Sequence, residues 1–143
     1  MSIRGDIAAA VRDRIRDKVS DFNRVIVVGA TQEFSELSLN PPSAGVILTQ
    51  AVNSGTETPP GEAYVYFTVQ IWFASQRFGV TDQESGLTDD SGIYNLLDDI
   101  HAAMVGWTPT SADEPMEIIE SDVEEIGDAL IVAFVNYRTA RLI

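Results

Sequence analysis

The side chains able to do chemistry are few in kind and poorly spaced for it. One histidine, His101, follows Asp98 by three positions, so the two share a face of any helix through them. Such a pair serves a catalytic triad only beside a nucleophile in a defined role. The chain has no cysteine, and no G-x-S-x-G, H-E-x-x-H, P-loop or G-x-G-x-x-G spacing occurs. His101 is therefore expected to be a structurally neutral residue on a helix surface. Carboxylates are abundant at Glu117, Glu120, Asp122, Glu124, Glu125 and Asp128. A carboxylate pair turns catalytic when unequal surroundings push the two pKa values apart, and a run this dense reads as a solvated face. Asp82, Glu84, Asp89 and Asp90 offer oxygen ligands around Gly86, but the acid and glycine order of an EF-hand is not met. No catalytic residue, cofactor or metal site is expected, and the chain reads as a non-enzyme.

The elements that position these residues follow from periodicity. Ser2 can cap a helix whose apolar residues fall at Ile3, Ile7, Val11, Ile15 and Val19, a single stripe with arginines and aspartates on the other faces. The interleaved acids favour a helix packed on a sheet over one lying on a membrane. Val25–Val28 reads as a short strand stopped by Gly29, and Asn40-Pro41-Pro42 is the firmest break after it. Gly45–Val52 reads as a second strand. A third, Glu62–Ser75, is long and alternates: Val65, Phe67, Val69, Ile71 and Phe73 face the core, opposite Tyr64, Tyr66, Thr68, Gln70 and Trp72. After a loop without apolar periodicity, Ser91 opens a second helix with Ile93, Leu96, Leu97, Ile100 and Met104 inward, closed by Gly106 as a left-handed cap. Met116–Ser121 and Ala129–Thr139 read as the last strands, the latter apolar enough to lie inside a sheet.

Two helices cannot cover both faces of that sheet. The expected fold is α+β, a single layer of mostly antiparallel sheet with two helices on one face. Its other face then carries Tyr64, Tyr66 and Trp72 partly bare, and an exposed aromatic face seeks a partner.

A chain of 143 residues with 45% hydrophobic content fits one domain, residues 1–143. Its apolar runs are strand-sized, well short of the roughly 18 residues of a membrane helix, and its charged N-terminus is unlike a secretory signal. A soluble protein made in the cytoplasm is expected, with no membrane contact. The formal net charge is −13. Residues 1–24 carry six bases against four acids, while residues 25–143 carry three bases against eighteen acids. A body this negative repels phosphate, so DNA contact would fall to the first helix alone.

One stretch carries a resemblance. A strand ending Phe73-Ala74-Ser75-Gln76-Arg77, an open loop, a helix start Gly92-Ile93-Tyr94-Asn95-Leu96-Leu97-Asp98-Asp99-Ile100 and a close at Gly106-Trp107-Thr108-Pro109 resemble the tail terminator family of Mu-like contractile-tailed bacteriophages and phage-like particles. The first helix and the strand after Pro42 fit the same layout. The loop from Gly79 to Asp90 carries more acid than the pattern. The resemblance implies a subunit of a hexameric ring at the head-proximal end of the tail. There it halts tube and sheath polymerisation and joins the tail to the neck or head-completion protein. The protein would assemble in the host cytoplasm, reside in the virion tail, and let DNA pass its lumen without specific binding. Tyr64, Tyr66, Trp72, Arg77, Arg12 and Arg16 are the candidate subunit-interface residues. The alternatives are a head–tail connector or neck subunit, or a small soluble module that binds a ligand or peptide on its aromatic face.

Overall fold

The structure, a computed structural model, describes residues 2–28, 42–54, 64–76, 92–126 and 130–142. Within them lie α1 (Ile3–Lys18), β1 (Arg24–Val27), β2 (Ser43–Ser54), β3 (Tyr64–Gln76), α2 (Ile93–Met104), β4 (Glu117–Ile126) and β5 (Leu130–Leu142). Ser2 caps α1 as its sequence suggests: its hydroxyl accepts from the Gly5 amide at 2.9 Å. Glycine suits that third helical position, because a Cβ there would stand 2.9 Å from the capping oxygen. Asp6 in the first turn and Arg16 and Lys18 in the last complement the helix dipole.

The strands form one sheet in the order β1-β2-β3-β5-β4. β1 runs parallel to β2, and the other three pairings are antiparallel, so the sheet is mostly antiparallel as expected. The core-facing half of β3 is the predicted one: Val69, Ile71 and Phe73 are fully buried and Phe67 nearly so. They share a single apolar cluster with Ala44 and Val46 of β2, Ala133, Val135 and Tyr137 of β5, and both helices. α1 supplies Ile7, Val11 and Ile15, and α2 supplies Ile93, Leu96, Ile100, Ala103 and Met104. Both helices therefore cover the same side of the sheet. Burying each large aliphatic or aromatic side chain contributes about 1.5–3 kcal/mol, which makes this layer the main source of stability. Ile3, the first residue of the expected α1 stripe, is exposed.

Two arginines fasten α1 to what surrounds it. Arg14 donates to the Ala103 carbonyl at 3.0 Å and stacks over the Trp107 ring at 5.2 Å, joining α1 to the end of α2. Arg16 donates twice to the Val25 carbonyl, at 3.0 and 2.7 Å, and so fixes the α1 side that faces β1. Past α2, Gly106 has φ +81°, the left-handed conformation expected of the cap. The chain then returns to the sheet through reciprocal bonds, Gly106 amide to Met116 carbonyl at 3.0 Å and Met116 amide to Trp107 carbonyl at 2.8 Å.

β4 departs most from expectation. It runs on to Ile126, where the sequence suggested an end at Ser121. Register shifts at Ile118/Glu120 and Val123/Glu125 explain this, because each extra residue breaks the period of two that marks a strand.

Candidate assembly surface

The side of the sheet opposite the two described helices is built by register. Across β3, β5 and β4, Trp72 lies beside Phe134 and Phe134 beside Asp122; Gln70 beside Asn136 and Asn136 beside Glu120; Thr68 beside Arg138 and Arg138 beside Glu117. Three parallel rows thus pass from half-buried residues of the central strand to exposed carboxylates at the edge. The aromatic row is packed: Trp72 and Phe134 have centroids 5.2 Å apart at 33°, and the indole N–H donates to Gln70 Oε1 at 2.6 Å. The polar rows are cross-linked. Asn136 Nδ2 donates to Glu120 Oε1 at 2.9 Å, and Arg138 Nε donates to Glu117 Oε1 at 2.7 Å. The Arg138 guanidinium also covers the Tyr66 ring at 5.1 Å. Tyr66, Met116, Glu117, Arg138 and Ala140 line a shallow groove of about 330 Å³ at one end of this face. The Asn136 Oδ1 is buried with no hydrogen-bond partner among the described residues.

Of the candidates read from sequence, the structure brings Tyr66 and Trp72 onto this face. Tyr64 opens β3, but its side chain lies outside the described residues, as does all of Arg77. Arg12 and Arg16 lie in the helix layer on the opposite side of the sheet, with side chains 31% and 52% exposed. Asp13 pairs with both. The acidic loop considered for calcium lies outside the described residues. Among the described residues, no group of three His, Cys, Asp or Glu side chains could hold a metal ion, and no helix is long and apolar enough to cross a membrane.

The last strand lies inside the sheet, between β3 and β4, as its sequence suggested, but Phe134, Asn136 and Arg138 are missing from that reading, which did not assign its two faces. Their alternation with Ala133, Val135 and Tyr137 was the available signal, since a strand facing one core alternates in polarity.

His101 needs correction too. It is half-buried, and its Nδ1 hydrogen-bonds the hydroxyl of Tyr137, the largest fully buried side chain among the described residues. Burial pushes the imidazole below the usual histidine range, against the opposing pull of Asp98. Burial likewise pushes the Tyr137 phenol up. Both directions favour a protonated phenol donating to a neutral ring. Elsewhere on α2, burial and then the charges of Asp21 and Asp98 raise the Asp99 carboxyl. His101 is thus a structural partner for a buried hydroxyl. Its removal in His101→Ala is expected to cost about 1–3 kcal/mol, the desolvation penalty of a hydroxyl left unpaired. Because the folded state depresses the imidazole pKa, this group's stabilisation is complete above about pH 6.5 and is lost as pH falls below it. Denaturant titrations between pH 7.5 and 5 should show wild type losing more stability on acidification than His101→Gln. Parallel losses would contradict the pairing.

No curated protein matches this chain by sequence. The family model described as phage tail terminator protein matches residues 6–142, from the first turn of α1 to the end of β5. Both described helices lie on one side of the sheet and the one histidine is spent on a core hydroxyl. By the match over nearly its whole length, the chain is a member of the phage tail terminator family, a structural protein of the bacteriophage tail.

Proposed function

We propose that copies of this chain close into a ring, a hexamer, that caps the head-proximal end of a contractile tail. The ring halts polymerisation of tube and sheath and gives the neck or head-completion protein a surface to join. Assembly takes place in the host cytoplasm, and no covalent chemistry is involved. The observation that carries this reading is the sheet, clad on one side by both described helices. Its other side presents Tyr66, Trp72 and Phe134 in a register that ends in carboxylates. A layer of this kind can meet another subunit through unlike surfaces, and such heterologous contacts form a ring when the rotation between copies closes. The net charge of −13 supports passage of DNA without adhesion, since negative walls repel phosphate.

Size-exclusion chromatography with light scattering, on the protein alone and with purified tail tubes, tests the ring. A sixfold mass in either setting supports it. A monomer that neither self-assembles nor caps tubes rejects it.

A further inference from the structure

The two edges of the sheet are opposite in charge and alike in apolar exposure. Strand order puts β1 at one end and β4 at the other. Four strand spacings of roughly 4.8 Å separate them, about 19 Å in all, so the two edges of one copy cannot touch. On the first edge, the Arg16 bonds to Val25 turn the flank of α1 that carries Arg12 and Arg16 toward β1, and β1 itself begins with Arg24. On the second, Glu117, Glu120 and Asp122 are exposed along β4. From Asp113 to Glu125 the chain has seven acids and no base.

Each edge also carries aliphatic surface. Val27 of β1 is 43% exposed, and Ile118 and Ile119 of β4 are 45% and 51% exposed. Edge strands of monomeric proteins are commonly protected against association, whereas apolar spots rimmed by charge are the make-up of an interface.

We propose that neighbouring copies meet edge to edge, the acidic β4 edge of one copy against the arginine-bearing α1–β1 edge of the next. The proposal rests on the ring reading above and names its contact. The occupant follows from charge: Arg138 answers Glu117 within the copy, but a second complement to this acidic edge with its exposed isoleucines lies on the same chain at the far end of the sheet, out of intramolecular reach. The contact is heterologous, so each copy uses both edges and the chain of contacts can close. Side chains carry it. The irregular register of β4 interrupts the even row of backbone groups that a continuing sheet would need. Opposite charges then set register and speed encounter, while the aliphatic spots are the desolvated centre.

The test uses two variants of the full chain. Of the two edges, Glu120→Lys/Asp122→Lys places two bases on the acidic one, where they face the arginines of the next copy. Arg12→Glu/Arg24→Glu makes both acidic and leaves the Arg16–Val25 bonds in place. Circular dichroism confirms folding, and light scattering at about 50 mM salt, where surface charge is little screened, reads assembly. Each variant alone is expected to need at least tenfold more protein than wild type to assemble. An equimolar mixture should recover assemblies holding equal amounts of both. A chain carrying all four substitutions should recover them unaided. If wild type forms rings but the variants assemble equally well, or the mixture stays as impaired as its components, edge pairing is overturned and the ring reading stands. If wild type forms no ring alone or on tail tubes, both fall.

Discussion

Phe73→Ala is expected to lower unfolding free energy by about 3–5 kcal/mol, the usual cost of truncating a buried aromatic residue. Phe73 is fully buried on the central strand. Its lateral neighbours are Ala44 on β2 and Ala133 on β5, and Phe22 meets its ring edge-on at 6.3 Å and 76°. Small residues on both sides make room for the phenyl group, and neither can swing a side chain into the void. The cavity therefore stays open, which places the cost toward the upper end. Against a total stability of roughly 5–15 kcal/mol for a domain, that loss leaves a large unfolded population. A denaturant titration should show a lower midpoint at unchanged slope. A shift worth less than about 1 kcal/mol would mean the layer repacks around the gap, and the description of the core would be wrong.

The second large effect falls on assembly. Trp72 is half-buried against Phe134 and starts the row that ends at Asp122 on the acidic edge. Trp72→Ala removes an aromatic anchor of the kind that dominates interface energetics, for which truncation typically costs about 2 kcal/mol or more. Ring formation should then require about thirtyfold more protein, the equivalent of 2 kcal/mol. The isolated subunit should stay folded, because the indole lies outside the helix-covered core. Trp72→Phe keeps an aromatic ring against Phe134 and loses the donation to Gln70, so it should assemble nearly as wild type does. Arg77→Glu should also fold normally and impair assembly. Rings of undiminished affinity from Trp72→Ala would displace the aromatic face from the interface.

Much of this was readable along the chain because the core makes local demands. Five odd-numbered positions of β3 had to be apolar together, and the spacing of Ile93, Leu96, Ile100 and Met104 had to follow one helical face. Gly106 announced its positive φ through being the residue able to adopt it at small cost. Other features depend on distant partners and leave no local trace. A four-residue apolar run such as Val25–Val28 fits a strand in either direction, so its parallel pairing with β2 could not be read. The hydroxyl of Tyr137 finds His101 across 36 positions. Neither residue's own neighbourhood announces the bond. β4 was cut short for the opposite reason, since its bulges erase a local signal that the fold then supplies through β5.

The surface was half legible. Tyr66 and Trp72 stood out as large aromatic residues alternating with core positions. Arg138 and Phe134 reach the same face from a strand seventy positions further on in sequence by rough count, through a register that cross-strand pairing alone sets. The polarity of the two edges follows from strand order. In sequence the basic and acidic segments are merely near opposite ends of the chain, and the order β1-β2-β3-β5-β4 converts that into opposite ends of one sheet.

Electron microscopy of particles made without this protein tests the central claim, that the chain ends the tail by forming a collar. Tails of unregulated length, detached from capsids, are the predicted outcome, with both defects repaired when the wild-type chain is supplied. Tails of normal length firmly joined to heads would contradict it.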